Sequence, residues 1–177
     1  MRRLLLRNLV HGPLTEAGPA ADDAAIGELA SRVNQAARRR LGRSLAIREV
    51  DAGSCNGCEL EIHALGNVLY DLERFGLRFV ASPRHADVLL VTGPMARNMR
   101  EALERTYQAT PDPKWVVAVG DCARDGGAFA GSPACLGSVS AVVPVDLHIP
   151  GCPPAPLELL KGLLALLESV SADTAGT

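Results

Sequence analysis

Five short apolar runs alternate with stretches of helical period along this chain, and that alternation constrains the fold more than any other feature. The runs are "SLAIREVDAG", "LRFVAS", "ADVLLVTG", "KWVVAVGDC" and "SAVVPVDLHIPGC". Around them lie "DDAAIGELASRVNQAARRRLG", the stretch from the first cysteines to Gly76, "ARNMREALERTYQ" and "PPAPLELLKGLLALLESV". In the first helix Ile26, Leu29, Val33 and Ala37 share a face, Asp22 or Asp23 can cap the start, and Arg38, Arg39 and Arg40 suit the negative end of the helix dipole. In the second, Ile62, Leu65, Leu69 and Leu72 fall at core-face spacing, with Gly76 as the stop. Prolines at the entry of the last helix remove N–H groups that would have no partner there.

Strands that are apolar throughout, separated by helices, predict an α/β fold: a mainly parallel sheet covered by helices on both faces. The pattern resembles the flavodoxin-like doubly wound arrangement. One junction resists. Only about six residues join "LRFVAS" to "ADVLLVTG", where a parallel crossover asks for a dozen or more. Either the first run is a stub or the strand order departs from the simple scheme. Residues 1–21 read as an extended arm broken by "HGPLTEAGPA", residues 22–170 as one α/β domain, and 171–177 as a flexible tail.

Hydrophobic residues make up 47% of the chain but aromatics only 3%, so aliphatic side chains must build the core. Residues 1–48 carry +5 and the remainder −7, which points to a basic region that meets a partner or an anionic surface. Arg38, Arg39, Arg40 and Arg43 concentrate that charge. Nucleic acid is disfavoured: aromatics are scarce and no recognition signature is present. No run is long and apolar enough to span a bilayer. The twin arginines of "MRRLLLRNLV" lead into no long apolar region or cleavage site, which predicts a cytoplasmic protein.

There are five cysteines, an odd number that argues against a disulfide framework and toward metal or redox use. Cys55 and Cys58 follow the first strand, Cys122 another, and Cys152 the last. In open parallel sheets the strand C-terminal ends form one rim where ligands bind. Four cysteines distant in sequence should therefore converge there. Gly53, Gly57, Gly120 and Gly151 accompany them, allowing tight turns and close approach by a bulky, anionic guest. Three guests suit these residues. A thioredoxin-like dithiol would use Cys55 and Cys58 but leave Cys122 and Cys152 idle. A structural zinc ion takes four cysteines, usually as two close pairs. An iron–sulfur cubane takes four at varied spacing with a following proline. Cys135, in "SPACLGS", reads as a free or packed thiol.

"GSCNGCELEI", "VGDCARDGGAF" and "IPGCPP" resemble the cluster motifs of the small subunit of energy-converting, membrane-bound [NiFe] hydrogenases, a group that includes formate hydrogenlyase. These are similar in turn to the 20 kDa subunit of respiratory complex I. "SPRHADVLLVTGP" supports the likeness from about Ala46 to Leu167, and "LLRNLVHGPLTE" resembles the arm that opens several such subunits. The resemblance implies one [4Fe-4S] cluster on Cys55, Cys58, Cys122 and Cys152, in the proximal position beside a large subunit bearing the [NiFe] centre. Complex I members show adjacent cysteines where this chain has Cys-Asn-Gly-Cys, which favours hydrogenase over quinone reductase. The implied role is electron relay within an oxidoreductase complex, not catalysis by this chain alone. Implied partners are the large subunit (or a complex I 49 kDa-like subunit), a ferredoxin-like iron–sulfur subunit, and membrane subunits that hold the assembly on the inner face of the membrane.

Glu59 has two readings, a proton relay toward the large subunit or a first-turn acid favouring the helix dipole; Glu61 fits the second. Arg84 is a candidate for offsetting cluster charge or, equally, a solvent-facing residue. His63 reads as a rim or surface residue, His11, His85 and His148 show no ligand spacing, and Trp115 reads as core. Asp121 and Asp125 fit loop turn chemistry.

Overall fold

The computed structural model describes residues 23–173; the expected arm over 1–21 and the last residues of the expected tail lie outside the described residues. A five-stranded, all-parallel sheet forms the centre, in the order β2-β1-β3-β4-β5. The strands are β1 Ala46–Asp51, β2 Arg78–Phe79, β3 Val88–Thr92, β4 Trp115–Val119 and β5 Leu147–Ile149. The helices are α1 Asp23–Leu41, α2 Gly57–Ala64, α3 Arg100–Ala109, α4 Asp121–Asp125 and α5 Pro156–Asp173.

Side-chain alternation along the strands feeds two cores. Ile47, Leu90 and Val117 face one side, where Val33 and Ala37 of α1, Ile62 of α2 and Leu159, Leu160 and Leu163 of α5 meet them. Leu89, Val91 and Val116 face the other, against Leu103 of α3, Ala123 of α4, Val139 and Val143. Helices on both faces of a parallel sheet are what the continuous apolar strands require.

The junction that resisted resolves through register. Phe79 of β2 and Val88 of β3 are both paired with Ile47 of β1, on opposite sides of it. The chain therefore recovers no height between them and needs only to step across one strand. Residues 80–87 do so through the turn Pro83–His85, with Val80 and Ala86 packed in the second core. Asp87 fastens the landing. Its Oδ2 accepts the Ala46 N–H at 2.9 Å, and both its oxygens meet Arg43, at 2.5 and 2.9 Å.

Three sequence expectations change, and one open choice, at Arg84, is decided. The helix after the first cysteines ends at Ala64, because the Asn67 carboxamide oxygen accepts the N–H groups of Leu69 and Tyr70 and turns the chain. Leu69 is consequently exposed, while Leu72 reaches the core from a separate short turn, Leu72–Phe75, closed by Gly76 at φ 80°. The segment after Cys122 is not plain loop: it contains α4 and a second turn, Gly127–Phe129. The last strand shrinks to Leu147–Ile149. Arg84 sits exposed just before β3, at the rim away from the cysteine loops, so it is not placed to offset charge there.

Candidate metal centre

Asp51 ends β1, and its Oδ1 accepts the N–H groups of both Gly53 and Ser54 at 2.7 Å. Ser54 Oγ then accepts the Asn56 N–H at 3.0 Å. This ladder of side-chain acceptors folds the loop back so that Cys55 precedes α2 and Cys58 lies in its first turn. Asn56 takes the left-handed conformation, φ 71°, which asparagine tolerates better than most residues.

Neighbouring loops lock the rim in two pairs. After β1 and β3, Ala52 N–H donates to Thr92 O at 2.9 Å and Ala96 N–H to Ala52 O at 2.7 Å. After β4 and β5, Gly120 N–H donates to Ile149 O at 2.8 Å and Asp121 N–H to Gly151 O at 2.9 Å. His148 Nε2 lies 3.1 Å from Gly120 O, adding a side-chain tie to the Cys122 loop. Two glycines give the sulfurs room. A Cβ on Gly120 would stand 2.7 Å from Cys58 Sγ, and one on Gly127 would stand 2.9 Å from Cys122 Sγ.

The result is one recess of about 70 Å³ lined by Cys55, Cys58, Cys122 and Cys152, together with Gly57, Gly93, Gly151 and Pro153. Cys55 and Cys152 are exposed; Cys58 and Cys122 are partly buried. All are free thiols. Burial pushes the Cys58 thiol up to about 12, reinforced by the Glu59 carboxylate and by Cys122, Cys55 and Cys152. Cys122 is also raised, first by burial, against the opposing Ala128 N–H, with Cys152 and Cys55 adding to the rise. Thiolates here destabilise one another, so a guest whose metal core carries positive charge is what would relieve the set, even where guest and thiolates together remain anionic. No group of three or more His, Cys, Asp or Glu among the described residues is arranged to hold a single metal ion.

Cys135 lies outside this recess. It is half-buried in a stretch that pairs with the loop after β3, through an antiparallel bridge to Ala96 and a Leu136 N–H to Met95 O bond of 2.8 Å. Glu59, in the first turn of α2, is buried: Thr92 Oγ1 donates to its Oε1, while its Oε2 has no hydrogen-bond partner among the described residues. His63 lies 3.5 Å from Glu49 on the surface of α2, and Trp115 is core, as expected. Sequence reasoning passed over Thr92 and read His148 only as lacking ligand spacing. Neither has a distinctive spacing; only the strand register brings them to the rim.

The family model described as NADH ubiquinone oxidoreductase, 20 Kd subunit, matches residues 55–166, from the first cysteine to within α5. The chain belongs to this family. It is 46% identical over 131 residues to the probable membrane-bound hydrogenase subunit mbhJ of Pyrococcus furiosus, covering 74% of this chain and 78% of that protein. It is 47% identical over 133 residues to formate hydrogenlyase subunit 7 of Escherichia coli, covering 73% of this chain and 52% of that longer relative. Both relatives are named as subunits of hydrogen-metabolising complexes, so the expected likeness to hydrogenase small subunits holds. Among solved structures, a chain of an archaeal respiratory membrane complex, the membrane-bound sulfane sulfur reductase, aligns with TM-score 0.66 and 33% identity. That alignment covers 80% of this chain and 76% of its counterpart. A chain of an NAD+-reducing [NiFe]-hydrogenase aligns at TM-score 0.56 and 22% identity, covering 72% and 93%, and shares the fold.

Proposed function

We propose that this protein is the electron-transfer small subunit of a membrane-associated [NiFe]-hydrogenase-type complex, holding one [4Fe-4S] cluster on Cys55, Cys58, Cys122 and Cys152. The observation that carries this reading is four free thiols from three separate loops lining one recess. A zinc site needs four sulfurs each about 2.3 Å from one point. Structural zinc sites usually present two close pairs, whereas here one pair and two single cysteines come from three loops, and a cubane spreads its thiolates over four irons. When bound, such a cluster accepts and releases single electrons. The polypeptide supplies the rest. The loop ties fix the sulfurs, Gly120 and Gly127 admit their close approach, and burial at Cys58 sets a low-dielectric inner edge.

The outer edge is open. Cys55 and Cys152 are exposed, and the exposed apolar side chains Leu60 and Phe129 follow Cys58 and Cys122 closely in the chain. A partner seated there would exclude water from the outer thiolates. This supports a position between a large subunit that carries the metal site and ferredoxin-like subunits that exchange electrons with it. Among the described residues no helix is long and apolar enough to cross a membrane. In this reading, attachment to the inner face of the membrane runs through other subunits of the complex.

The second reading is a complex I-type subunit whose terminal cluster serves quinone, which the matched family model favours. Cys-Asn-Gly-Cys, in place of adjacent cysteines, favours the hydrogenase reading. The test is hydrogen production by the purified complex with a reduced dye as donor. Evolution of hydrogen that is lost with Cys122→Ser supports the first reading. Quinone reduction without hydrogen evolution replaces it with the second.

A further inference from the structure

At the rim opposite the cysteines, the last turns of α1, the end of α5 and the turn before β4 enclose a second, much larger space. It measures about 740 Å³ and is lined by Arg32, Gln35, Arg39, Arg40, Pro113 and Glu168. Its position follows from topology. α1 leads into the first residue of β1, and Trp115 opens β4, so the groove sits at the N-terminal strand ends, whereas the four thiols sit beyond the C-terminal ends.

The arginines are presented differently. Arg40 stacks over Trp115, its guanidinium carbon 4.9 Å from the ring centroid, which holds the fork in place without using its donors. Arg39 is exposed and makes no hydrogen bond or ion pair among the described residues. Arg32 meets Glu168 at 3.3 Å, with both side chains more than half exposed. One carboxylate against three guanidinium groups leaves the groove cationic. The apolar face of α1 is already spent, since Ala30, Val33 and Ala37 are buried in the core beside α5.

We propose that this groove docks an acidic segment of a partner protein, with carboxylates taken by the guanidinium forks of Arg39 and Arg40. Three features choose that occupant. A helix lying on a membrane needs an exposed apolar face, yet among the described residues the exposed large hydrophobic ones, Leu60, Val68, Leu69 and Phe129, all lie outside the groove. Single-stranded nucleic acid needs aromatic platforms, and among the described residues no aromatic lines the groove, Trp115 being buried beneath Arg40. A concave, arginine-lined space fits a protruding chain segment. The proposal uses none of the cysteines and stands apart from the cluster reading.

The chain carries its own reporter, because Trp115 is its single tryptophan. The experiment titrates the full-length protein with a fluorescein-labelled polyglutamate peptide, following anisotropy and Trp115 emission. Polyglutamine and vesicles of phosphatidylcholine with phosphatidylglycerol serve as alternative ligands. The expected result is saturable polyglutamate binding that changes Trp115 emission and weakens as salt rises. Arg39→Glu should weaken it about tenfold or more, Arg39→Gln less, and Arg105→Glu on α3 not at all. Circular dichroism checks that each variant is folded, and iron content measured on the same samples should not change. Polyglutamate affinity unaltered in Arg39→Glu would overturn the proposal. So would Arg39-dependent recruitment to the anionic vesicles without polyglutamate binding.

Discussion

Cys58 shows how a single side chain can be read from its surroundings. Its thiol is pushed up to about 12, mainly by burial, so in the cluster-free chain it stays protonated well above neutral pH. Iodoacetamide labelling at mildly alkaline pH, followed by mass spectrometry, should modify the exposed Cys55 and Cys152 first and Cys58 last. The same shift has a thermodynamic sign. An unfolded thiol loses its proton near its ordinary value of about 8.5, while the folded one holds it. Between those values the folded state binds more protons, so stability of the cluster-free chain should fall as pH rises from about 9 toward 12. Urea midpoints measured across that range check this, and a midpoint that rises with pH would contradict it. Asn56 carries a second residue-scale prediction. At φ 71°, Asn56→Val should cost about 1–2 kcal/mol and Asn56→Gly almost nothing, read by urea unfolding. The cysteines could be found from the sequence because each sits in a glycine-marked turn after an apolar run. The partner of Glu59 could not, because Thr92 is set beside it by a register that only folding reveals.

Among the elements, the helices that packed as expected are those whose apolar period is long. α1 buries Val33 and Ala37 at the expected spacing, and α5 buries Leu159, Leu163 and Leu166. The misread elements are those where a local side-chain bond beats periodicity. The Asn67 carboxamide stops α2 although Leu69 continues its pattern, whereas the short β2 is the stub that the six-residue junction allowed, set in place by pairing with Ile47. That edge depends on Asp87, which is almost fully buried and accepts from Ala46 N–H and Arg43. Asp87→Ala leaves the buried Ala46 N–H unpaired and should lower stability by about 2–3 kcal/mol, measured by urea unfolding. A change below about 0.5 kcal/mol would mean the landing of β3 is held by packing alone.

For the whole molecule, the parallel sheet acts as a spacer with unlike ends: four thiols beyond the strand C-termini, an arginine-lined groove at the N-termini. The fold could be read from strand–helix alternation, and convergence of the cysteines followed from it, because parallel strands deliver every following loop to one rim. The arginine groove was visible only as a charge imbalance, since its walls come from α1 and α5, far apart in the chain. A guest that bridges three loops should also clamp the fold. Removing iron with a chelator under reducing conditions should lower the melting temperature of the loaded chain, and reloading should restore it.

The most direct test of the central claim is anaerobic iron and acid-labile sulfide analysis, with electron paramagnetic resonance of the reduced protein, on the chain and its five single Cys→Ser variants. The account predicts about four irons and four sulfides per chain with one [4Fe-4S] signal. Both should be retained in Cys135→Ser and lost or altered in the Cys55, Cys58, Cys122 and Cys152 variants. Stoichiometric zinc in place of iron, or an unchanged cluster in Cys122→Ser, would contradict it.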